Sequence, residues 1–379
     1  MPELITVALS GGVDSAVASL LLKEQGYDVQ GIFMKNWSPE TLQGLEDCPW
    51  EQDQADAQSV CEHLGIPFRS VNFESEYRER VLQYFLDEYA AGRTPNPDIM
   101  CNKEIKFRAF MGYARQLCSE RIATGHYAQV ENGALKRGVD PLKDQSYFLS
   151  ALDTQQLRHS IFPLGQLTKK EVRVLAQEAG LPNAKKPDSQ GICFIGHLDL
   201  KKFLDQNLKQ SVGGNVCLLP AHDQGTTVEQ RVGSSVEVGT YRGSAYVTIG
   251  ERAGHLVDNK KVRAALRGAD VPNLFVLAKN AIQNTVYVTT DPNDPHFFTD
   301  ELCLESLTQP ISEHTFLVQI RYGQQRLTKA HLESRQGVHY FVAELEGFYA
   351  AASGQQAVAY TAEGQVLASG TITKQDGWR

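Results

Sequence analysis

The sequence predicts an α/β fold: a doubly wound parallel sheet, then a small β-rich unit, then a C-terminal β-barrel. Three observations carry this expectation. Strand-length apolar runs alternate with helical periodicity from Leu4 to about residue 125. A glycine pair, Gly11-Gly12, breaks the chain between the first strand and the first helix. Beyond about residue 210 the helical signal fades, and short apolar runs punctuated by Gly, Asn and Asp continue to the end.

Each element can be justified in turn. Residues 4–9 are an apolar strand, residues 16–22 resume at helical spacing, and Gly26 is a helix stop. A second strand is expected over 28–34, a helix over 51–64 and a third strand over 67–73. Residues 77–91 are helical, with Val81, Tyr84, Phe85 and Tyr89 on one face. Pro95 and Pro97 forbid a helix across the loop that leads to Cys101. A new helix then carries Ile105, Phe107, Phe110, Met111 and Ala114, with Cys101 at its start. Residues 121–124 are a fourth strand. Asn132-Gly133 marks a hairpin, and helices are expected over 168–179 and 198–207. Later strands are expected over 215–219, 246–249, 274–277, 286–289, 315–320, 339–345 and 357–360. The resulting units span 1–205, 206–278 and 279–379.

Composition narrows the class. At 42% hydrophobic and 22% charged, the 379 residues are those of an ordinary soluble protein with ample core. No apolar run is long enough to span a bilayer, and the N-terminus reads straight into a core strand without a signal peptide. Seven cysteines, an odd number in a large chain, argue for a reducing cytosol. The net charge of −8 is unevenly spread: residues 1–100 hold 6 Lys/Arg against 17 Asp/Glu, residues 101–210 hold 17 against 11, and the remainder 14 against 17. A basic middle in an acidic chain permits a polyanion to dock on one face.

The chemistry begins at Ser10-Gly11-Gly12-Val13-Asp14-Ser15. Glycines let backbone N–H groups approach a bound group, and a helix N-terminus favours negative charge, so this turn suits phosphate. It lacks the lysine of a Walker A loop. It resembles the loop of the PP-loop ATP pyrophosphatases, a resemblance that implies pyrophosphate binding and cleavage of ATP at its α-phosphate.

Cys101 and Cys193 stand in polar, loop-like settings. At a helix start the dipole would favour thiolate at Cys101. Cys61 and Cys118 fall at helical apolar spacing and are expected to be buried. The longer matches are Gly31-Ile32-Phe33-Met34-Lys35-Asn36-Trp37, Thr94-Pro95-Asn96-Pro97-Asp98, Cys101 to Phe107, Gly125-His126-Tyr127, Lys143 to Tyr147 and Asp188 to Ile195. With Thr248-Ile249-Gly250, Arg321-Tyr322 and Ser353-Gly354-Gln355, they resemble the tRNA-specific 2-thiouridylases over almost the whole chain. The chain departs from the pattern at Ser38, at Glu251-Arg252-Ala253-Gly254 and at Gly323.

By position, the resemblance implies that Ala8, Leu9, Ser10, Gly11, Gly12, Val13, Asp14, Ser15, Met34 and Gly125 bind ATP, with Mg²⁺. Asn96, Pro97 and Asp98 would hold the target base, and Asp98 could act as general acid/base. His126, Lys143, Asp144, Gln145, Arg321, Tyr322 and Gln355 would contact tRNA. Cys193 would carry a persulfide supplied by a donor protein, and Cys101 would be its partner nucleophile. The implied enzyme is a cytoplasmic monomer that 2-thiolates the wobble uridine. Two other classes share the phosphate loop: an amidating synthetase, which would need an ammonia source, and a nucleotide-binding regulator whose cysteines form a redox switch.

Overall fold

In the first part of the chain the strands are β1 (Leu4–Leu9), β2 (Asp28–Lys35), β3 (Phe68–Asn72), β4 (Arg121–Ala123), β5 (Ala128–Glu131), β6 (Ala134–Arg137) and β7 (Ser160–Ile161). All but β5 and β6 form one parallel sheet in the order β3-β2-β1-β4-β7. Ile5 to Leu9 are buried, as a central parallel strand covered on both faces requires. The helix α1 (Val13–Glu24) follows β1, and α2 (Trp50–Leu64) follows β2. Strand order reverses between β1 and β4, so the crevice for a ligand opens beyond their carboxyl ends. The expected hairpin is β5–β6, with Asn132 and Gly133 both at positive φ, as a type I′ turn demands. The computed structural model describes residues 2–38, 50–188, 200–208, 213–223, 226–241, 247–280, 283–324 and 326–373.

Two β units follow. Strands β8 (Gly214–Leu218), β9 (Val236–Tyr241), β10 (Phe275–Asn280) and β11 (Thr285–Thr289) pair in the order β10-β11-β8-β9, antiparallel except for β11–β8. In the last unit β12 (Phe298–Thr299) pairs with β17 (Phe348–Tyr349). Strands β13 (Glu301–Leu304), β14 (Phe316–Gln319), β15 (Thr328–Arg335), β16 (Val338–Ala343), β18 (Gln356–Tyr360) and β19 (Val366–Thr371) form an antiparallel sheet in the order β13-β16-β15-β14-β18-β19. This sheet curls into a half-barrel whose edges touch at the Leu304–Ile372 bridge. It seats on the first unit through Tyr147, whose buried hydroxyl lies 3.2 Å from the Ile320 carbonyl and 3.0 Å from that of Gln356.

Several expectations are corrected. Pro97 does not break a helix but opens one, which runs over 97–116. Proline lacks the N–H that a first helical residue leaves unpaired, and the Asn96 side chain caps the next two N–H groups, of Asp98 at 3.1 Å and Ile99 at 3.3 Å. Cys101 therefore lies one turn inside the helix, where the terminal dipole is weaker. Cys118 is exposed beyond the helix end, at φ 62°. Residues 247–249 form no strand, and the expected boundary after 278 falls within β10, because β10 and β11 complete the second sheet. Cys48, Cys193 and Tyr246 lie outside the described residues.

The second unit buries an ion pair. Arg231 and Asp294 are fully buried, with Nη2 to Oδ2 at 2.6 Å and Nη1 to Oδ1 at 3.0 Å. Burial raises the Asp294 pKa, but hydrogen bonds from Arg231 and His296 outweigh it and hold the group at about 2. With the folded value below the unfolded one, this stabilisation is present above the ordinary carboxylate range and is lost as pH falls toward 2. Removing one partner strands the other charge. Asp294→Ala is expected to cost about 3–5 kcal/mol, read as a lower urea midpoint for loss of the native fold.

Candidate functional site

The turn after β1 is shaped by contacts that admit no side chain. At Gly11 (φ 74°) an added Cβ would lie 2.3 Å from the Asp53 carbonyl oxygen. At Gly125, just past β4, it would lie 2.7 Å from the Ser15 nitrogen and 2.8 Å from the Asp14 carbonyl carbon. The chain leaving β4 thus touches the first turn of α1 backbone to backbone at the sheet's switch point. Within the turn, Ser15 Oγ donates to the Gly12 carbonyl at 3.2 Å, and the Ser10 N–H donates back to Ser15 Oγ at 3.2 Å. From outside it, Asn183 Nδ2 donates to the Gly11 carbonyl at 3.0 Å. Ala8, Met34 and Cys101 belong to one buried core cluster, so residues expected at the nucleotide and the candidate nucleophile are built on a common core.

A ring of paired charges surrounds the turn. Asp14 Oδ1 accepts from the Tyr127 hydroxyl and from Lys169 Nζ, each at 2.7 Å. Lys169 also reaches Asp188 Oδ1 at 2.7 Å, which Arg173 meets at 2.5 Å, while Lys143 bonds Asp188 Oδ2 at 2.8 Å. Burial raises the Asp188 pKa, but Lys143 and Lys169 overcome it and hold the carboxyl well below its usual range. Lys186 bridges Asp53 at 2.6 Å and Asp56 at 2.5 Å; burial would lower its ammonium, but both carboxylates hold it above its usual value. Lys169, Arg173, Lys186, Tyr127 and Asn183 were not expected as site residues. The three cations leave only the basic balance of 101–210 as a trace in the sequence, Tyr127 closes the matched Gly125-His126-Tyr127, and nothing local marks Asn183. Among the described residues no three His, Cys, Asp or Glu side chains cluster to hold a metal ion, and no helix is long and apolar enough to cross a membrane.

Asn96, Pro97 and Asp98 sit together at the helix start, and Cys101, fully buried, follows one turn on. There the helix widens to i→i+5 bonding over Cys101–Ala109, a form that concentrates at functional sites. The residues expected to meet RNA divide into two sets. Lys143 is 40% exposed, and Tyr322, 45% exposed, packs on Phe148 with ring centroids 4.4 Å apart. The others point inward. His126 is buried, with Nδ1 2.7 Å from Thr124 Oγ1 and Nε2 3.5 Å from Lys106 Nζ. Burial, then the Lys106 charge, push its pKa far down, so it is neutral. Asp144 accepts from the Gly138 and Ser146 N–H groups at 3.0 and 3.1 Å. Gln145 accepts from the Tyr127 N–H at 3.0 Å. Arg321 donates to the Ile249 carbonyl at 2.6 Å, and Gln355 to the Thr94 carbonyl at 2.8 Å.

Cysteine environments differ sharply. Cys61 is buried in α2, and burial, helped by Glu62, pushes its thiol up to about 12; it is inert packing. Cys217 and Cys303 are half-buried on strands of the second and third units.

The family model described as "tRNA methyl transferase HUP domain" matches residues 3–197. The tRNA-specific 2-thiouridylase MnmA of Streptococcus pyogenes is 49% identical over 289 residues, covering 75% of this chain and 71% of its own length. The same enzyme of Lactococcus lactis is 45% identical over 309 residues, covering 80% and 76%. That of Halalkalibacterium halodurans is 47% identical over 302 residues, covering 79% and 74%. At 45–49% identity over 75–80% of its length, this chain belongs to the tRNA-specific 2-thiouridylase family.

Proposed function

We propose that the protein 2-thiolates the wobble uridine of tRNA at the expense of ATP, in the cytoplasm and as a monomer. The observation that carries this reading is the convergence at one sheet edge of a phosphate-type glycine turn with the core that holds Cys101. The uridine C2 oxygen is a poor leaving group. Its attack on the α-phosphorus of ATP forms the C2–O–AMP bond and expels pyrophosphate. The turn's N–H groups and Lys169 would stabilise that charge. Mg²⁺ is commonly held by one or two carboxylates plus phosphate oxygens. Asp14 fits such a role, and the ion would neutralise charge on the departing pyrophosphate.

In the second step the outer sulfur of a Cys193 persulfide attacks C2, and AMP leaves. The Cys101 thiolate attacks Cys193 Sγ, breaking the sulfur–sulfur bond and forming a Cys101–Cys193 disulfide. The transferred sulfur gains the two electrons that the cysteine pair gives up. Asp98 manages the proton at the base. Lys143 and Tyr322 supply a cation and an aromatic face to the RNA, while Asp144, Gln145, His126, Arg321 and Gln355 hold the surface that presents them. The first unit is the nucleotide-binding one, and the two β units form the RNA platform. A persulfide-bearing protein reloads Cys193, and a thiol reductant reopens the disulfide.

Two outcomes follow. Gly125→Ala pushes a methyl against Ser15 and overpacks the turn by about 1–3 kcal/mol; calorimetric titration should show ATP affinity reduced about tenfold, and an unchanged affinity would remove Gly125 from the site. Cys101→Ser should still bind tRNA and release AMP and pyrophosphate but give no 2-thiouridine on nucleoside mass spectrometry. Full thiolation by that variant, or ADP and phosphate as the RNA-dependent products, would sink the mechanism.

A further inference from the structure

The peptide 92–94 lies just ahead of the Asn96-Pro97-Asp98 segment. It ends one helix and leads into the next: the Gly92 N–H bonds the Tyr89 carbonyl at 2.9 Å, and the Arg93 N–H bonds that of Glu88 at 2.9 Å. Groups at both of its ends bond to the two β units. Lys279 Nζ, on β10, donates to the Gly92 and Val247 carbonyls, each at 2.8 Å. The Thr94 N–H donates to the Ser353 carbonyl at 2.8 Å, and the Thr94 and Thr248 hydroxyls are 3.2 Å apart. An added Cβ on Gly354 would lie 2.9–3.0 Å from Thr94 backbone atoms, so the joint has no slack.

Lys279 is the member of this joint whose chemistry exceeds what packing needs. A buried amide could donate to two carbonyls without desolvating a charge. The ammonium instead tethers the second unit to the first through charge-assisted bonds, which are about twice as strong as neutral ones. Burial lowers its pKa to about 8, with Glu251 opposing, so near neutral pH it remains mostly charged. The Gly92 and Val247 carbonyls that it meets lie in loops, Gly92 ahead of the Asp98 helix and Val247 beside Thr248.

We propose that Lys279 is a positioning residue for the reaction. By fixing the 92–94 peptide against the β units, it holds the helix start that carries Asp98 and Cys101 in register with RNA docked on those units. This rests on the roles given to Asp98 and Cys101 above.

The test uses full-length protein with Lys279→Met, which keeps the stem's length and removes the charge and donors. Single-turnover thiolation of tRNA should fall roughly 10- to 100-fold, while ATP and tRNA dissociation constants stay within about twofold, the split expected when orientation and not affinity is lost. Without RNA, alkylation of buried Cys101 by N-ethylmaleimide, mapped by peptide mass spectrometry, should speed up several-fold. Thr248→Val, a milder cut at the same joint, should shift both readouts in the same direction and decides the matter if Lys279→Met does not fold. Wild-type rates of thiolation and labelling in these variants would overturn the proposal. So would a rate loss matched by an equal loss of tRNA affinity, which would make Lys279 an RNA contact. If the wild-type protein thiolates no RNA, the proposed function falls, and the labelling alone decides whether Lys279 holds the Cys101 helix.

Discussion

The structure turns on a contact in which a single hydrogen atom is the limit. Gly125 presses its Cα against the Asp14–Ser15 backbone, and any Cβ would intrude to 2.7 Å. This approach brings the end of β4 against the turn that follows β1, at the place where strand order reverses. The glycine turn and the backbones that carry Asp14 and the buried His126 are therefore spaced by backbone geometry, which varies little, and not by side-chain rotamers, which vary more. Everything on the carboxyl edge of the sheet inherits its spacing from that point.

Charge organises the next shell. The acidic first hundred residues and the basic hundred after them complement each other: Lys169 meets Asp14, Lys186 meets Asp53 and Asp56, and Arg121 meets Glu3. Part of the basic excess that suggested a polyanion partner is thus used within the fold. The pairs beside the turn are only partly buried, with the Lys169 side chain 15% exposed and Asp14 33%. Such pairs cost little to exchange, so an incoming phosphate can replace a carboxylate as the partner of a cation already in place.

The first unit was legible because its elements have strong periods. Strands covered on both faces read as apolar runs, and their helices carry apolar stripes, so β1 to β4 and the helices between them follow the expected order. Pro97 misled because a proline signals both a break and a start; Asn96, one residue earlier, is the capping signature that separates the two. The charged ring around the turn was not legible, because Lys169 and Asp14 lie 155 residues apart and nothing local links them. Strand β15, Thr-Lys-Ala-His-Leu-Glu-Ser-Arg, was missed for another reason: only Ala330 of its eight residues is buried, so it lacks the apolar pattern that announces a strand.

The widened helix over Cys101–Ala109 has a consequence of phase. An α-helix turns about 100° per residue, and i→i+5 bonding accommodates an extra residue per turn without lengthening the path in proportion. Cys101 at its start and Phe110 just beyond its end are both fully buried in one core cluster, and the widened bonding between them sets their relative phase. The stretch acts like a vernier. Gain or loss of one residue there would not shorten the helix noticeably, but would rotate the thiol by about a quarter turn relative to the core packing that anchors it. Spacing between Cys101 and Phe110 is therefore under tighter constraint than the identity of the residues that fill it.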